Sequence, residues 1–306
     1  MTVSGVSSEI IKNLVLAGVR AAICDGRPFP EALSETPSSF LPYSSETTES
    51  MSVAEAMKPL VHELNPLLDT CEIQTQPDLS SIPDTFFQQY DIVIISGAIC
   101  LQNHSYTPKQ EDLLRISNLV TANNGKFILV DTFGMYGCAL LDLGPTHQFR
   151  KEQGKDKLSD LQSINPYVSF SQMMTSTMTN KNLKQITDRW HKNGPPKVLA
   201  MYLALLYYSN HPPSSSEEQK ESHFSQVVQD YLVSSGLDAN YLGDDLSYLY
   251  QVASAEISPV CAVLGGVMGN EVIKAISGKG EPANNTLLFD GTDGGCRAFV
   301  LQPPSS

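Results

Sequence analysis

Apolar residues recur at helical spacing from Ser8 to Arg20, where Ile10, Ile11, Leu14, Val15 and Val19 share one face behind the cap-competent pair Ser7-Ser8. The spacing predicts a helix that hands over at Gly18 to a short strand, Ala21 to Cys24, closed by Asp25-Gly26. A second helical period runs from Val53 to Leu64. It stops at Asn65-Pro66, because a residue before proline is pushed out of the helical region. Next come a strand over Cys71 to Thr75, a helical turn over Pro83 to Gln89, and the apolar run Asp91 to Ile95. β-Branched residues on both faces of that run place it in the middle of a parallel sheet. A helix over Gln110 to Ala122 and strands over Lys126 to Val130 and Met135 to Leu141 complete an alternating α/β pattern.

Two stretches break this pattern. Residues 27–48 are rich in Pro, Ser, Thr and Glu and carry neither period, so a long surface loop is expected there. Beyond Gly144 the alternation stops, and the charged segment Lys151 to Asp160 is expected to be mobile. Residues 161–251 read as mainly helical, with helices over Lys184 to His191, Val198 to Tyr208 and Gln226 to Ser234 and a linker over Pro212 to Glu218. Alternation resumes with a helix over Pro259 to Ile276 and strands over Thr286 to Asp290 and Arg297 to Leu301. The expected organisation is an α/β domain begun by residues 1–150, a helical insertion with flexible linkers over 151–251, and a return to the same domain over 252–306.

Charge narrows the function classes. The 306 residues carry a formal net charge of -13, which argues against a nucleic-acid surface built from clustered Lys and Arg. With no charged-then-apolar leader and no continuous apolar run near 18 residues, neither secretion nor membrane spanning is expected. The six cysteines are scattered without a C-x-x-C pair, which predicts small buried hydrophobes rather than a disulfide framework or a metal site. Asn103-His104-Ser105 and Asn284-Asn285-Thr286 match a glycosylation pattern that has no meaning without a secretory route.

Candidate chemistry is sparse. In a sheet of this kind phosphates bind where a strand feeds a glycine-rich turn and a helix N-terminus. Here Met1 to Ser7 holds one glycine, Gly5, where the dinucleotide fingerprint has three. Asp25 stands about 20 residues later, where a carboxylate could meet a ribose, although opening a turn with Gly26 is the simpler role. Gly5 and Asp25 are therefore vestigial cofactor-binding candidates. Cys261 lies near a helix start among apolar neighbours, which favours core packing over nucleophilic chemistry. His147 is expected at the surface, and Asp290-Gly291 with Asp293-Gly294-Gly295 reads as a tight turn rather than a cation loop. No catalytic and no metal-ligating residue is assigned.

Three stretches carry a family resemblance. Ser8-Glu9-Ile10-Ile11-Lys12-Asn13-Leu14-Val15-Leu16-Ala17-Gly18-Val19 resembles the helix after the glycine turn in enzymes that activate ubiquitin-like proteins, whose Rossmann-like half-domains are similar to ThiF/MoeB-type adenylators. Asp131-Thr132-Phe133-Gly134-Met135-Tyr136-Gly137 resembles the strand crossing of the same fold. Pro259 to Gly266, Glu271 to Ser277, Asn284-Asn285 and Phe289-Asp290-Gly291 resemble the non-catalytic small subunits of heterodimeric SUMO-activating enzymes more than those for NEDD8.

The resemblance covers roughly residues 5–150 and 225–301. It implies a chain without its own active site, paired with a catalytic large subunit that holds ATP, magnesium and the thioester cysteine. SUMO would be met only indirectly, nucleic acid and membrane not at all, and the compartment would be the nucleus, with the cytoplasm as a second place. Two departures stand out. The family's opening Tyr-Asp-Arg-Gln-x-Arg-x-Trp-Gly helix and first strand have no counterpart here, so the sheet is expected to be incomplete at its first strand and the isolated chain poorly folded. Ser52-Val53-Ala54 stands where the family often shows Asn-Arg-Ala, so a phosphate-binding guanidinium is replaced by an apolar side chain. Two rival expectations are an interaction protein of the same fold outside catalysis and a nucleotide-dependent oxidoreductase using Gly5 and Asp25.

Overall fold

The computed structural model describes residues 3–29, 51–68, 71–76, 78–99, 101, 106–154, 157–178, 183, 194–211 and 220–302. The loop expected over 27–48 beyond Phe29, the helix over Lys184 to His191, the linker over Pro212 to Glu218, Cys100 and Asn103 lie outside them.

Helix α1 spans Gly5–Leu16 and opens earlier than its apolar period suggests. Ser4, not Ser7 or Ser8, is its cap: Ser4 accepts from the Ser7 backbone while the Ser7 hydroxyl oxygen accepts from the Ser4 N–H, so two otherwise orphaned donors are satisfied reciprocally. Strand β1 (Ala22–Cys24) follows and pairs in parallel with β2 (Glu72–Gln74), with α2 (Val53–Leu64) as the crossover between them. Ser52 and Glu55 form a second capping box at the start of α2. Val3, Val15, Ile23, Val53, Met57 and Val61 make the small core of this unit.

The main sheet has five strands in the order β3-β4-β5-β8-β9. After helix α3 (Asp84–Gln88), β3 (Ile92–Ile95) pairs in parallel with β4 (Lys126–Phe133) through the crossover helix α4 (Gln110–Ala122). Strand β5 (Tyr136–Asp142) then turns back antiparallel on β4 across Gly134-Met135. The parallel alternation expected from sequence thus ends at β4. Gly134, at φ 55°, is what allows the reversal: a Cβ there would stand 2.8 Å from Cβ of Val252. Contrary to expectation, β3 is an edge of this sheet, for its only described strand partner is β4.

Short strands β6 (Gln148–Phe149) and β7 (Gln162–Ser163) bracket the charged segment. That segment is pinned rather than loose at its ends, because Lys151 and Ser159 exchange hydrogen bonds at 2.9 and 2.8 Å and the Arg150 guanidinium donates to the Ser159 carbonyl. Helices α5 (Phe170–Met178), α6 (Lys197–Ser209), α7 (Lys220–Ser234) and α8 (Asp245–Val252) follow. The chain then returns through α9 (Ser258–Ser277), β8 (Thr286–Asp290) and β9 (Gly295–Phe299). Strand β9 starts two residues before its expected place, because the Asp290↔Gly295 register closes the hairpin earlier.

Side chains alternate across β4. Phe127, Leu129 and Phe133 face α4 to α7, while Ile128 and Val130 face α1 and α9. Helix α6 is apolar on all sides and correspondingly buried, in keeping with a place at the centre of the larger core. Helix α9 is, by length and composition, long and apolar enough to cross a bilayer, which the broken apolar run in the sequence did not suggest. Half of that window is buried, against α1 and the sheet.

Candidate functional site

The two vestigial candidates, Gly5 and Asp25, lie close together, and each already has an internal partner. The first backbone donors of α1 point out of the helix start, where the dipole favours an anion. The anion present is the carboxylate of Glu256, whose Oε1 and Oε2 lie 2.8 and 2.9 Å from the Gly5 nitrogen. Asp25 is 1% exposed. Its oxygens accept from the Val3 N–H, from the Arg27 N–H at 3.0 Å, and from the Arg27 guanidinium at 2.8 Å. Arg27 also donates to the Val3 carbonyl at 2.9 Å. The turn reading of Asp25 therefore holds. Both carboxylate oxygens are engaged in a buried ion pair that would have to break before a ribose could use them.

Neither Glu256 nor Arg27 was singled out from the sequence. Glu256 lies 251 residues from Gly5, and the local sequence before α9 gives no sign of its target. Arg27 carried a signal, its place two residues after Asp25, that reads as a turn and conceals the ion pair.

A second buried carboxylate, Asp131 on β4, binds the loop after β3. Its Oδ1 accepts from Gly97 N and Ala98 N at 2.6 and 3.0 Å, and its Oδ2 accepts from the Tyr202 hydroxyl of α6 at 2.9 Å. Burial pushes its carboxyl up to about 6, against the opposing pull of these three donors. Because its hydrogen-bonding directions serve the fold, this cluster is a clasp joining sheet, loop and helix. Asp142 works similarly: it accepts from Phe170 N at 2.7 Å at the start of α5 and from Tyr167 Oη at 3.0 Å.

The thiols are shielded. Cys261 is fully buried with its Sγ 3.6 Å from Thr132 Oγ1, and burial pushes it up to about 11, away from the thiolate a nucleophile needs. Cys138 is raised further by burial opposite Asp131. His147 is buried, not at the surface as expected, because the Gly144 turn folds its backbone N–H onto the Gly144 carbonyl; burial lowers its pKa. Asp290 and Asp293 accept from Thr292 and Gly295 N–H groups two residues on, which makes the β8–β9 connection a tight turn. Asn285 is spent on Leu301, accepting from its N–H and donating to its carbonyl. Among the described residues no cluster of three or more His, Cys, Asp or Glu side chains could hold a metal.

No family model matches the chain. Curated relatives do. The chain is 28% identical over 312 residues to SUMO-activating enzyme subunit 1 of Xenopus tropicalis, covering 94% of this chain and 84% of that protein. It is 27% identical over 321 residues to the protein of that name from Rattus norvegicus, covering 98% and 86%. Against the Homo sapiens protein of the same name the figures are 27% over 320 residues, 98% and 87%.

Proposed function

We infer that this chain, a relative of SUMO-activating enzyme subunit 1 over nearly its whole length, is the small subunit of a SUMO-activating enzyme. The observation that carries the reading is that full-length similarity, which includes the α9–β8 region as well as the sheet. On this reading the five-stranded sheet and its flanking helices are one ThiF/MoeB-type half of a paired enzyme. SUMO is adenylated with ATP and magnesium in the other half and passed to a cysteine there.

The chain's own geometry supports a non-catalytic role. A phosphate at the start of α1 would meet the Glu256 carboxylate already bound at the Gly5 N–H, and like charges at that distance repel. Val53 is fully buried, so its position offers an apolar side chain to the α2 core and no cation to a nucleotide. The oxidoreductase alternative lacks a dinucleotide seat for the same reasons. Helix α9 presents an outward face with Val263 at 47% and Ile273 at 36% exposure, joined by Gly266, whose missing Cβ leaves open space. We assign this small face, on which the exposed Asn270 sits between Gly266 and Ile273, to the contact with the catalytic subunit.

Co-expression with the catalytic subunit from the same source tests the reading, read by size-exclusion chromatography and by ATP-dependent SUMO thioester formation. A heterodimer that forms the thioester, and that Val263→Asp with Ile273→Asp dissociates without lowering the Tm of the isolated small subunit, is the expected result. Thioester formation by the catalytic subunit alone at an unchanged rate would overturn it.

A further inference from the structure

The strap from Leu143 to His147 joins β5 to β6 and lies over the start of β4. At Gly144, with φ at 79°, it passes close to the preceding turn, since a Cβ there would stand 3.3 Å from the Gly125 carbonyl oxygen. The Gly144 N–H donates to Asp142 Oδ1 at 3.1 Å, the Thr146 hydroxyl donates to Asn124 Oδ1 at 3.2 Å, and the His147 N–H donates to the Gly144 carbonyl. Three residues on, Arg150 exchanges backbone hydrogen bonds with Gly278 and Gly280 at 2.8 and 2.9 Å. The strap therefore links the start of β4 to the end of α9.

His147 carries the group in this strap whose charge changes near neutral pH. It is 8% exposed, and its Nε2 is buried with no hydrogen-bond partner among the described residues. A protonated imidazole donates from both nitrogens, so charging this ring in place would bury a cation whose Nε2–H meets no acceptor. The charged neighbours oppose it further. Lys126 on β4 is half-buried and acts on the ring in the same direction as burial, while Asp91 before β4 acts on Lys126. Asp142 on β5 is engaged by the Gly144 and Phe170 N–H groups and the Tyr167 hydroxyl. Toward α9, Glu271 is paired with Lys274 and Glu281 with Lys151, and the Arg150 guanidinium donates to the Ser159 carbonyl.

We propose that His147 is an acid-sensitive latch: neutral, it seats the strap on β4, and protonated, it leaves its buried place so that the strap opens together with β6. Burial first and Lys126 second hold the seated ring below its ordinary value of 6.5. The stability that the neutral ring lends to the closed strap is thus full above about pH 6.5 and is lost as pH falls from there toward the lowered value. This inference goes beyond the part the chain plays in SUMO activation and does not rest on it.

The test is backbone amide exchange at pH 7.5 and 5.5, corrected for the intrinsic pH dependence of exchange, together with an NMR titration of the His147 ring. Between these two values opening over residues 144–150 rises up to about tenfold, the limit for uptake of one proton at an ordinary histidine pKa, while β4 and β5 show no acceleration. The ring titrates below 6.5. His147→Phe, which keeps a ring and cannot be charged, loses the acid response, and Lys126→Met, which removes the neighbouring cation, weakens it. Titration of the ring at or above 6.5 with the strap still protected overturns the proposal. So does an unaltered acid response in either variant, or acceleration spread equally over β4 and β5.

Discussion

Asp131 shows at the residue scale how a functional-looking group can be structural. Its carboxyl, ordinarily near 3.8, is pushed up to about 6 because burial costs more than three hydrogen bonds return. An acid raised in this way favours the folded state when protonated. Its contribution to stability is fullest below about pH 4 and is lost as pH rises through about 6. The change is at most about 3 kcal/mol, from about two pKa units. Asp131→Asn keeps an oxygen to accept from Gly97 and Ala98 and an amide to donate to the Tyr202 oxygen, so it should remove this dependence. Denaturant midpoints of the two proteins should differ in favour of the variant at pH 7.5 and converge or reverse near pH 4; a difference constant with pH would refute the assignment. Residue roles were legible where the partner is local: the turn at Asp25, the Asx turns at Asp290 and Asp293, and the buried Cys261. Glu256 and Tyr202 were not, because their targets lie on strands and helices brought together only by the fold.

Among the elements, α1 and α9 pack face to face, and glycine sets their distance. A Cβ on Gly265 would stand 2.4 Å from Cβ of Glu9 and 3.2 Å from the Val6 carbonyl, whereas one on Gly266 would meet nothing within 4 Å. Gly265→Leu should therefore cost about 1–3 kcal/mol or more through forced separation of the helices. Gly266→Ala should stay within about 0.5 kcal/mol of neutral. Thermal unfolding of the two variants checks this, and equal Tm values would show that the close approach is not what holds the pair. Element boundaries could be read wherever local chemistry ends them. Helix α2 stops at Asn65 before Pro66, and α4 occupies Gln110–Ala122 as its period predicts. Helix α1 was misplaced because Ser4, Ser7 and Ser8 are all competent caps and only the reciprocal Ser4–Ser7 bonds decide. Helices α5 and α8 escaped notice: they are short, and Asp142 anchors the first from a distant strand.

At the scale of the whole molecule, the sequence carried the α/β alternation but not its hand-over to antiparallel pairing. A run of β-branched residues reports burial and says nothing of strand direction, so β3 was placed inside a sheet of which it is an edge. The β1–α2–β2 unit has its own small core and, among the described residues, no strand pairing to the main sheet, so it should open more readily than that sheet. Hydrogen exchange of the chain as given should be faster in β1, β2 and α2 than in β4 and β5, with the first group opening well below the global unfolding free energy. Uniform protection across both groups would mean that the unit opens only together with the main sheet.

The pairing of β5 with β8 carries a consequence for the order of events during synthesis. Tyr136 waits for Asp290, and Glu9 waits for Gly265, so neither the β5–β8 pairing nor the α1–α9 layer can form until α9 and β8 have been made. Such distant partners make folding slow, because a long loop must be closed before any contact repays it. Until then β5 offers an unpaired apolar edge to any neighbouring nascent chain. Helix α9 and strand β8 thus close two open faces at once, the β5 edge and the outer side of α1.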